Sequence, residues 1–599
     1  MKIRAIVSLA VLILFVTFTG GWSGQGSDLS PKVAKDLIES TAESLQVIVV
    51  LNIPGGTVSE RKEQIRRSAG AVSSVASGNA RTVRTYDHFP FLAMQVTNRS
   101  ALSSLARMPE VRFVVPNRIR PIPKITRTLP ESATPLLYPT NVDNIGAKEA
   151  WDAGYTGAGW YVALLDSGIL ASHEMFAGKH MVEACFSQEG DCPNGQTAMY
   201  GPGSARSFDS RYDGYEHGTA VASIAVGNSG KSFGVAKDAS LISIQVFSIF
   251  STAADCYPSP APCLSSYDSD QLAALDYVYS LRGTYPIAAV NMSLGGEEFR
   301  DQQLCDTSGD DPAYIDAIDA LRGAGIATVI ASGNDGSCVG IEAPACVFPA
   351  ISVGAVDDTD TEAIFNNWHY TMLKLLAPGV NIYCAVPDTQ TSYTFLDGTS
   401  LATPQVTGAW AILKQKSPDA SVEDLFSALA DTGFPVRTSC KNINDSKPRI
   451  QVDAALAPGL NPVPALSRTF SYPATASPVL NFSQAMPVGV GPVAGSGRLL
   501  NLQVEFAPFA GAVDIYLGLY AQPIDPSIVY LFAPDNSLRS LNSGLIPWQE
   551  NVAGPVSESI YGELPTFTLP PGDYTLYLMV TPAGRLNPYD FWTTGFSLK

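Results

Sequence analysis

Four short segments carry residue types suited to nucleophilic attack on a carbonyl. Asp166, in Asp166-Ser167-Gly168, closes the apolar run Tyr161–Leu165. A half-buried carboxylate at a strand end can accept a hydrogen bond from an imidazole and fix its tautomer. His217 opens a helical pattern with Gly218 and Thr219, placing Val221, Ala222 and Ile224 on its buried face. An imidazole can take a proton from a hydroxyl and return it to a leaving amine. Ser400 sits in Asp397-Gly398-Thr399-Ser400-Leu401-Ala402-Thr403-Pro404, at a helix start where free N–H groups face a developing oxyanion. Pro404 is expected in the first turn of that helix, where a missing N–H costs little. Asn334 ends the run Ala327–Gly333, and its amide could be a second oxyanion donor beside the Ser400 N–H. Alone, each has an ordinary reading: a turn for Asp166 and Asn334, an N-cap for Ser400, a structural or surface role for His217. Together, each at a strand or helix end of one α/β stretch, they fit a single hydrolytic site.

The elements that must position them alternate between 143 and 457. Strands are predicted at Tyr161–Leu165, Ser240–Val246, Ile287–Met292, Ile326–Ala331 and Ile351–Val356, and helices at His217–Gly227, Asp270–Arg282, Pro312–Gly323, Thr399–Lys416 and Val422–Asp431. Strands apolar on both faces and separated by helices indicate a parallel sheet covered on each side. Catalytic groups then gather beyond the carboxyl ends of the strands.

Upstream the pattern reads β-α-β-β-α-β: Gln46–Asn52, Ser59–Ala76, Thr82–Asp87, Phe91–Val96, Ser100–Arg107 and Val111–Val115, a compact two-layer α+β unit. Residues 117–142 are rich in Pro, Thr and basic groups, without periodicity, and are expected as an exposed linker. After the proline-rich joint Pro458–Pro464 come short strands at Leu499–Phe506, Val513–Gly518, Ser527–Phe532, Thr566–Leu569 and Asp573–Val580, which predict a β-sandwich.

A chain of 599 residues exceeds one core, and a formal charge of −18 excludes a phosphate-binding surface of the usual basic kind, hence nucleic acid as partner. Lys2 and Arg4, the apolar run Ala5–Phe18 and the small, polar stretch Thr19–Gly24 are ordered like a secretory signal. No second long apolar run occurs, so no membrane span is expected in a mature, secreted form. Nine cysteines fall in the middle of the chain, where export makes disulfides plausible. Cys185/Cys192, Cys256/Cys263 and Cys338/Cys346 are near enough in sequence to staple loops, and the odd count leaves one over. No CxxC occurs and the histidines are scattered, so no metal site is assigned. Asn98, Asn291, Asn444 and Asn481 fit N-glycosylation sequons.

The four segments, in the order Asp166, His217, Ser400 with Asn334 between the last two, resemble the signature blocks of the subtilisin-like serine proteases. The resemblance covers roughly 143–457. Val290–Gly296 looks like the family's edge strand, which pairs with extended substrate, and it implies a side-chain pocket walled by Ser293, Leu294, Gly295, Ala331, Ser332 and Gly333. The stretch 45–117 resembles the family's inhibitory propeptide, in Tyr86–Val96 and Pro109–Pro116. The implied organisation is a signal peptide (1–24), a ferredoxin-like inhibitory propeptide (45–117), a linker or processing region (118–142), a subtilisin-like catalytic domain (143–457) and a C-terminal β-sandwich domain (463–599). The implied activity is that of a secreted serine endopeptidase made as a self-processed zymogen, acting on proteins or peptides and first on its own propeptide. The chemistry needs no cofactor. Structural calcium is common in the family, but no acidic spacing here locates a site. Leu401 stands where many relatives have methionine, which predicts peroxide tolerance at that point. Two rivals remain: a catalytically dead binding protein on the same scaffold, and an esterase, which would need a Gly-x-Ser-x-Gly elbow that Ser400 lacks.

Overall fold

The computed structural model describes residues 32–456, apart from 41, 43, 54–56, 76–78, 98, 129–139, 257–258, 308–311, 442 and 444, together with strands of the tail between 492 and 598. The expected signal segment, the joint Pro458–Pro464 and the expected strand Thr566–Leu569 lie outside these residues.

At the centre is a ten-stranded sheet ordered Phe434–Arg437, Ser446–Arg449, Leu375–Pro378, Ile351–Val356, Ala327–Ala331, Ile287–Met292, Tyr161–Asp166, Ser240–Gln245, Met181–Phe186 and Ala198–Tyr200. The two outermost strands are antiparallel to their neighbours, and all other neighbours are parallel. Ile287–Met292 and Ile351–Val356 are buried throughout, the mark of a strand covered on both faces. One layer brings Val221, Ala222, Val406 and Trp410 onto the sheet from helices His217–Val226 and Thr399–Lys416. The other brings Leu272, Leu275, Ala317 and Ile318 from Asp268–Leu281 and Pro312–Gly323. The sheet is thus the α/β architecture that the strand–helix alternation predicts.

Chain order reverses between Tyr161–Asp166 and Ile287–Met292. Later strands are added on one side of the former and earlier ones on the other. A crevice opens at such a reversal beyond the strand ends. Asp166 and Ser293 stand on its two sides.

Residues 45–116 form a four-stranded sheet, ordered Ala80–Thr85, Phe91–Val96, Leu45–Leu51 and Val111–Pro116, with antiparallel neighbours and helices Val58–Val75 and Arg99–Arg107 on one face. Its other face sends Ile48, Val50, Phe91 and Val115 into the same core as Leu272 and Leu275. Asp276 Oδ1 and Oδ2 accept three successive backbone N–H groups, from Asp87, His88 and Phe89. Arg84 reaches Asp270 at 2.5 Å, and Tyr86 donates to the Ser269 carbonyl at 2.9 Å.

The sequence reading of 117–142 as an exposed linker is corrected for its first part. Ile119–Pro121 and Thr126–Thr128 are strands, and Asn117, Arg120 and Ile122 are buried. Such three-residue strands have no periodicity of their own; edges elsewhere in the chain impose them. The described tail has no helix and forms a three-stranded and a six-stranded antiparallel sheet.

Four disulfides form: Cys185–Cys192, Cys256–Cys263, Cys305–Cys346 and Cys338–Cys440. The expected Cys338/Cys346 staple does not. Ile341–Glu342 runs extended between the two, paired with Glu298–Phe299, so the segment does not fold back on itself. Cys384 is the cysteine left over, buried among Ala220, Ile224, Leu396 and Leu401, and burial pushes its thiol far up. Among the described residues no helix is long and apolar enough to cross a membrane.

Candidate active site

Asp166 is the last residue of its strand and 1% exposed. Its Oδ1 accepts from the Ser167 N–H and from His217 Nδ1, both at 2.7 Å. His217 begins its helix and is fully buried, so the carboxylate holds the ring and selects the tautomer protonated at Nδ1. Nε2, the basic nitrogen of that tautomer, has no hydrogen bond. The neighbour of Gly218 is the Gly168 carbonyl, which a Cβ at 218 would approach to 2.3 Å. The glycine therefore lets the loop after Asp166 close against the helix bearing His217, and the Gly218 N–H donates to Ser167 Oγ.

Ser400 is the second residue of helix Thr399–Lys416. Leu401 packs with Ala220 and Ile224, which sets the start of this helix against the one that His217 opens. The Ser400 hydroxyl donates to the Ser293 carbonyl at 3.4 Å, so it is parked on the edge segment and not on the imidazole. Pro404 lies one turn further in than expected. Lacking an N–H, it leaves the Ser400 carbonyl without its helical donor. Ser293 Oγ supplies the missing bond at 2.8 Å.

Asn334 is fixed from the other side. Its Oδ1 accepts from both the N–H and the hydroxyl of Thr399, at 2.8 and 2.9 Å, so Nδ2 must point into the crevice. There it donates to the carbonyl oxygen of Lys124 at 3.3 Å. That carbonyl belongs to the segment expected as a linker without structure of its own. On one side of it, Ile119–Pro121 pairs antiparallel with Cys263–Tyr267, and the Ile122 N–H donates to the Leu264 carbonyl. On the other, Thr126–Thr128 pairs with Tyr393–Asp397.

Of the expected pocket residues, Leu294, Gly295, Ala331 and Gly333 line the recess beside Ser400 and Asn334. Ser293 and Ser332 do not. Ser293 serves the helix as described, and Ser332 Oγ turns to Asn366 Oδ1 at 3.4 Å. The backbone partner of the extended segment also differs from the expected one. Its paired edge is Cys263–Tyr267. Asn291 is no glycosylation acceptor: it is fully buried, donating to Ser293 Oγ and accepting from Thr407. Sequence reading missed Thr399, Lys124 and Glu342, which also lines the recess. Thr399 was visible beside Ser400, but its bond to residue 334 was not.

Known proteins are similar to this chain in sequence. The sequence model of the Subtilase family matches residues 157–448. The chain is 34% identical over 274 residues to an extracellular serine proteinase of Thermus sp. (strain Rt41A), covering 46% of this chain and 55% of that protein. It is 31% identical over 329 residues to subtilisin DY of Bacillus licheniformis, covering 53% of this chain and 98% of that one. Alkaline protease 1 of Aspergillus flavus is 30% identical over 281 residues, 46% of this chain and 58% of its own. The chain thus spans about half the length of the first of these and nearly all of the second. With a sheet, crevice and site of this kind and a subtilisin matched almost end to end, the chain belongs to the subtilase family, the subtilisin-like serine endopeptidases.

Proposed function

We propose that the protein is a secreted serine endopeptidase, made as a zymogen that cuts itself between Lys124 and Ile125. Ser400 is the nucleophile, His217 the general base, Asp166 the group that orients it, and Asn334 with the Ser400 N–H the oxyanion donors. The Ser400 hydroxyl swings from the Ser293 carbonyl to His217 Nε2, gives up its proton there and attacks the carbonyl carbon. The tetrahedral oxyanion is met by the two donors. His217 then hands the proton to the leaving amine, and water, deprotonated by the same ring, releases the acyl group.

One observation carries this reading: the Lys124 carbonyl oxygen sits on Asn334 Nδ2, with the chain held as a strand on both sides. Extended main-chain pairing is how a peptide is presented for cleavage. Residues 45–116, with the order and connections of a ferredoxin-like fold, would be the propeptide. Their contacts with Asp268–Leu281 suit an inhibitor that holds the cleft closed. Secretion rests on the signal-like start, on the disulfides and on relatives named as extracellular or alkaline proteases. The tail is read as a separate β-sandwich domain.

The test is the precursor itself. Ser400→Ala should remain uncut and unreactive to a fluorophosphonate, whereas the parent protein is labelled at Ser400 and yields a chain beginning at Ile125. A Ser400→Ala precursor that matures normally on its own would end this reading.

A further inference from the structure

We propose that the recess beside Ser400 selects a cationic side chain, Lys or Arg, in the residue before the cut bond, and that Glu342, with Asp335 beside it, is the group that reads this charge. The inference rests on the functional reading above and extends it to the substrate class.

The recess is part of a cleft of about 600 Å³, and Glu342 lines it with Leu294, Gly295, Ala331, Gly333 and Asp335. Two glycines frame the carboxylate. A Cβ on Gly295 would come within 2.4 Å of Oε2, and one on Gly333 within 2.4 Å of Oε1. The Glu342 carboxylate therefore spans from one wall of the recess to the other. The Asn334 N–H donates to it, and the charges nearby include Asp335, with which it shares a hydrogen bond, and Arg120. The Arg120 guanidinium is committed elsewhere, at 2.5 Å from Asp268 and 3.1 Å from the Ala343 carbonyl. Two neighbouring carboxyl groups in a walled recess repel each other when both ionise and are expensive to desolvate without a cation. Burial first, then Asp335, raises the Glu342 carboxyl to about 8. An ammonium or guanidinium entering the recess would relieve both penalties, and an apolar side chain would relieve neither.

The chain's own cut bond fits the same rule, because the residue whose carbonyl meets Asn334 is a lysine. The Lys124 side chain lies exposed here; the step added is its turn into the recess when Ser400 attacks.

Peptides differing only in Lys, Arg, Leu or Phe before the cut bond provide the test. The matured enzyme should show kcat/KM about 10²-fold higher for Lys and Arg. Glu342→Gln should collapse that ratio, and benzamidine should compete in the parent enzyme. The Lys-to-Leu ratio cancels whatever affects both peptides alike, so its own pH profile isolates the recess. It should rise with pH as Glu342 ionises and stay flat in Glu342→Gln. Loss of Arg120 with the propeptide moves that ionisation to higher pH, and entry of water moves it to lower pH. If Glu342→Gln does not fold, processing in the parent background decides: Lys124→Leu should slow release of Ile125 and Lys124→Arg should restore it. Equal cleavage after Leu, Phe and Lys, with Ser400 still labelled by fluorophosphonate, would overturn the proposal and leave the protease reading intact. Absence of both hydrolysis and labelling would overturn both.

Discussion

At the scale of single residues, the site depends on groups that point other groups. Thr399 occupies the Asn334 carbonyl oxygen twice over and so keeps the amide N–H₂ turned to the crevice. Asn334→Leu is expected to lower turnover by about 10²–10³, a size carried over from the corresponding donor of subtilisin. Thr399→Ala removes only the hydroxyl bond and should lower kcat by about tenfold with KM little changed, read from initial rates on one peptide. Leu401 is fully buried next to Ser400 and has no thioether. Dilute peroxide should therefore leave activity intact, and any loss should not map to position 401. Asp166, His217, Asn334 and Ser400 were legible in the sequence because each sits in a short contiguous block whose residue types are unusual together. Glu342 was not. A single glutamate between Ile341 and Ala343 carries no local signal, and only folding brings it between Gly295 and Gly333.

At the scale of elements, long strands and helices declared themselves through periodicity. Ile287–Met292, Phe91–Val96, Pro312–Gly323 and Thr399–Lys416 have the bounds that apolar spacing predicts. The short strands at Ile119–Pro121 and Thr126–Thr128 did not, since their pairing depends on edges more than a hundred residues away. The partners of Cys305 and Cys338 were hidden for the same reason. Besides Ser269 and Asp270, helix Asp268–Leu281 meets the upstream unit through a carboxylate that satisfies three amides, at Asp276. Hydrogen bonds to a charged group contribute about 1.5–3 kcal/mol each at most, and neighbouring ones are not additive. Asp276→Ala in the full chain should weaken the hold of the cut propeptide by about 10²-fold, seen as activity emerging earlier after processing. Unchanged timing would place the hold elsewhere on the interface.

At the scale of the molecule, the site lies at a reversal of strand order, which draws Asp166 and Ser293 to one crevice from elements far apart in sequence. The Cys338–Cys440 bond closes a loop of 102 residues across this body. By the chain-entropy argument, removing it with paired Ala substitutions should cost about 4–5 kcal/mol, more than opening either seven-residue loop. Denaturant unfolding in the Ser400→Ala background, where self-digestion is silent, measures this directly.

The two strands that grip the chain on either side of Lys124 have a consequence in time. On the proposed self-cleavage, hydrolysis of the 124–125 bond would leave both pairings in place, and the newly made ends would have no immediate reason to part. The first molecules freed would then digest the propeptides still clasped by their neighbours. Activity in a fresh secretion should appear after a lag and then accelerate, with a delay that shortens when a trace of mature enzyme is added.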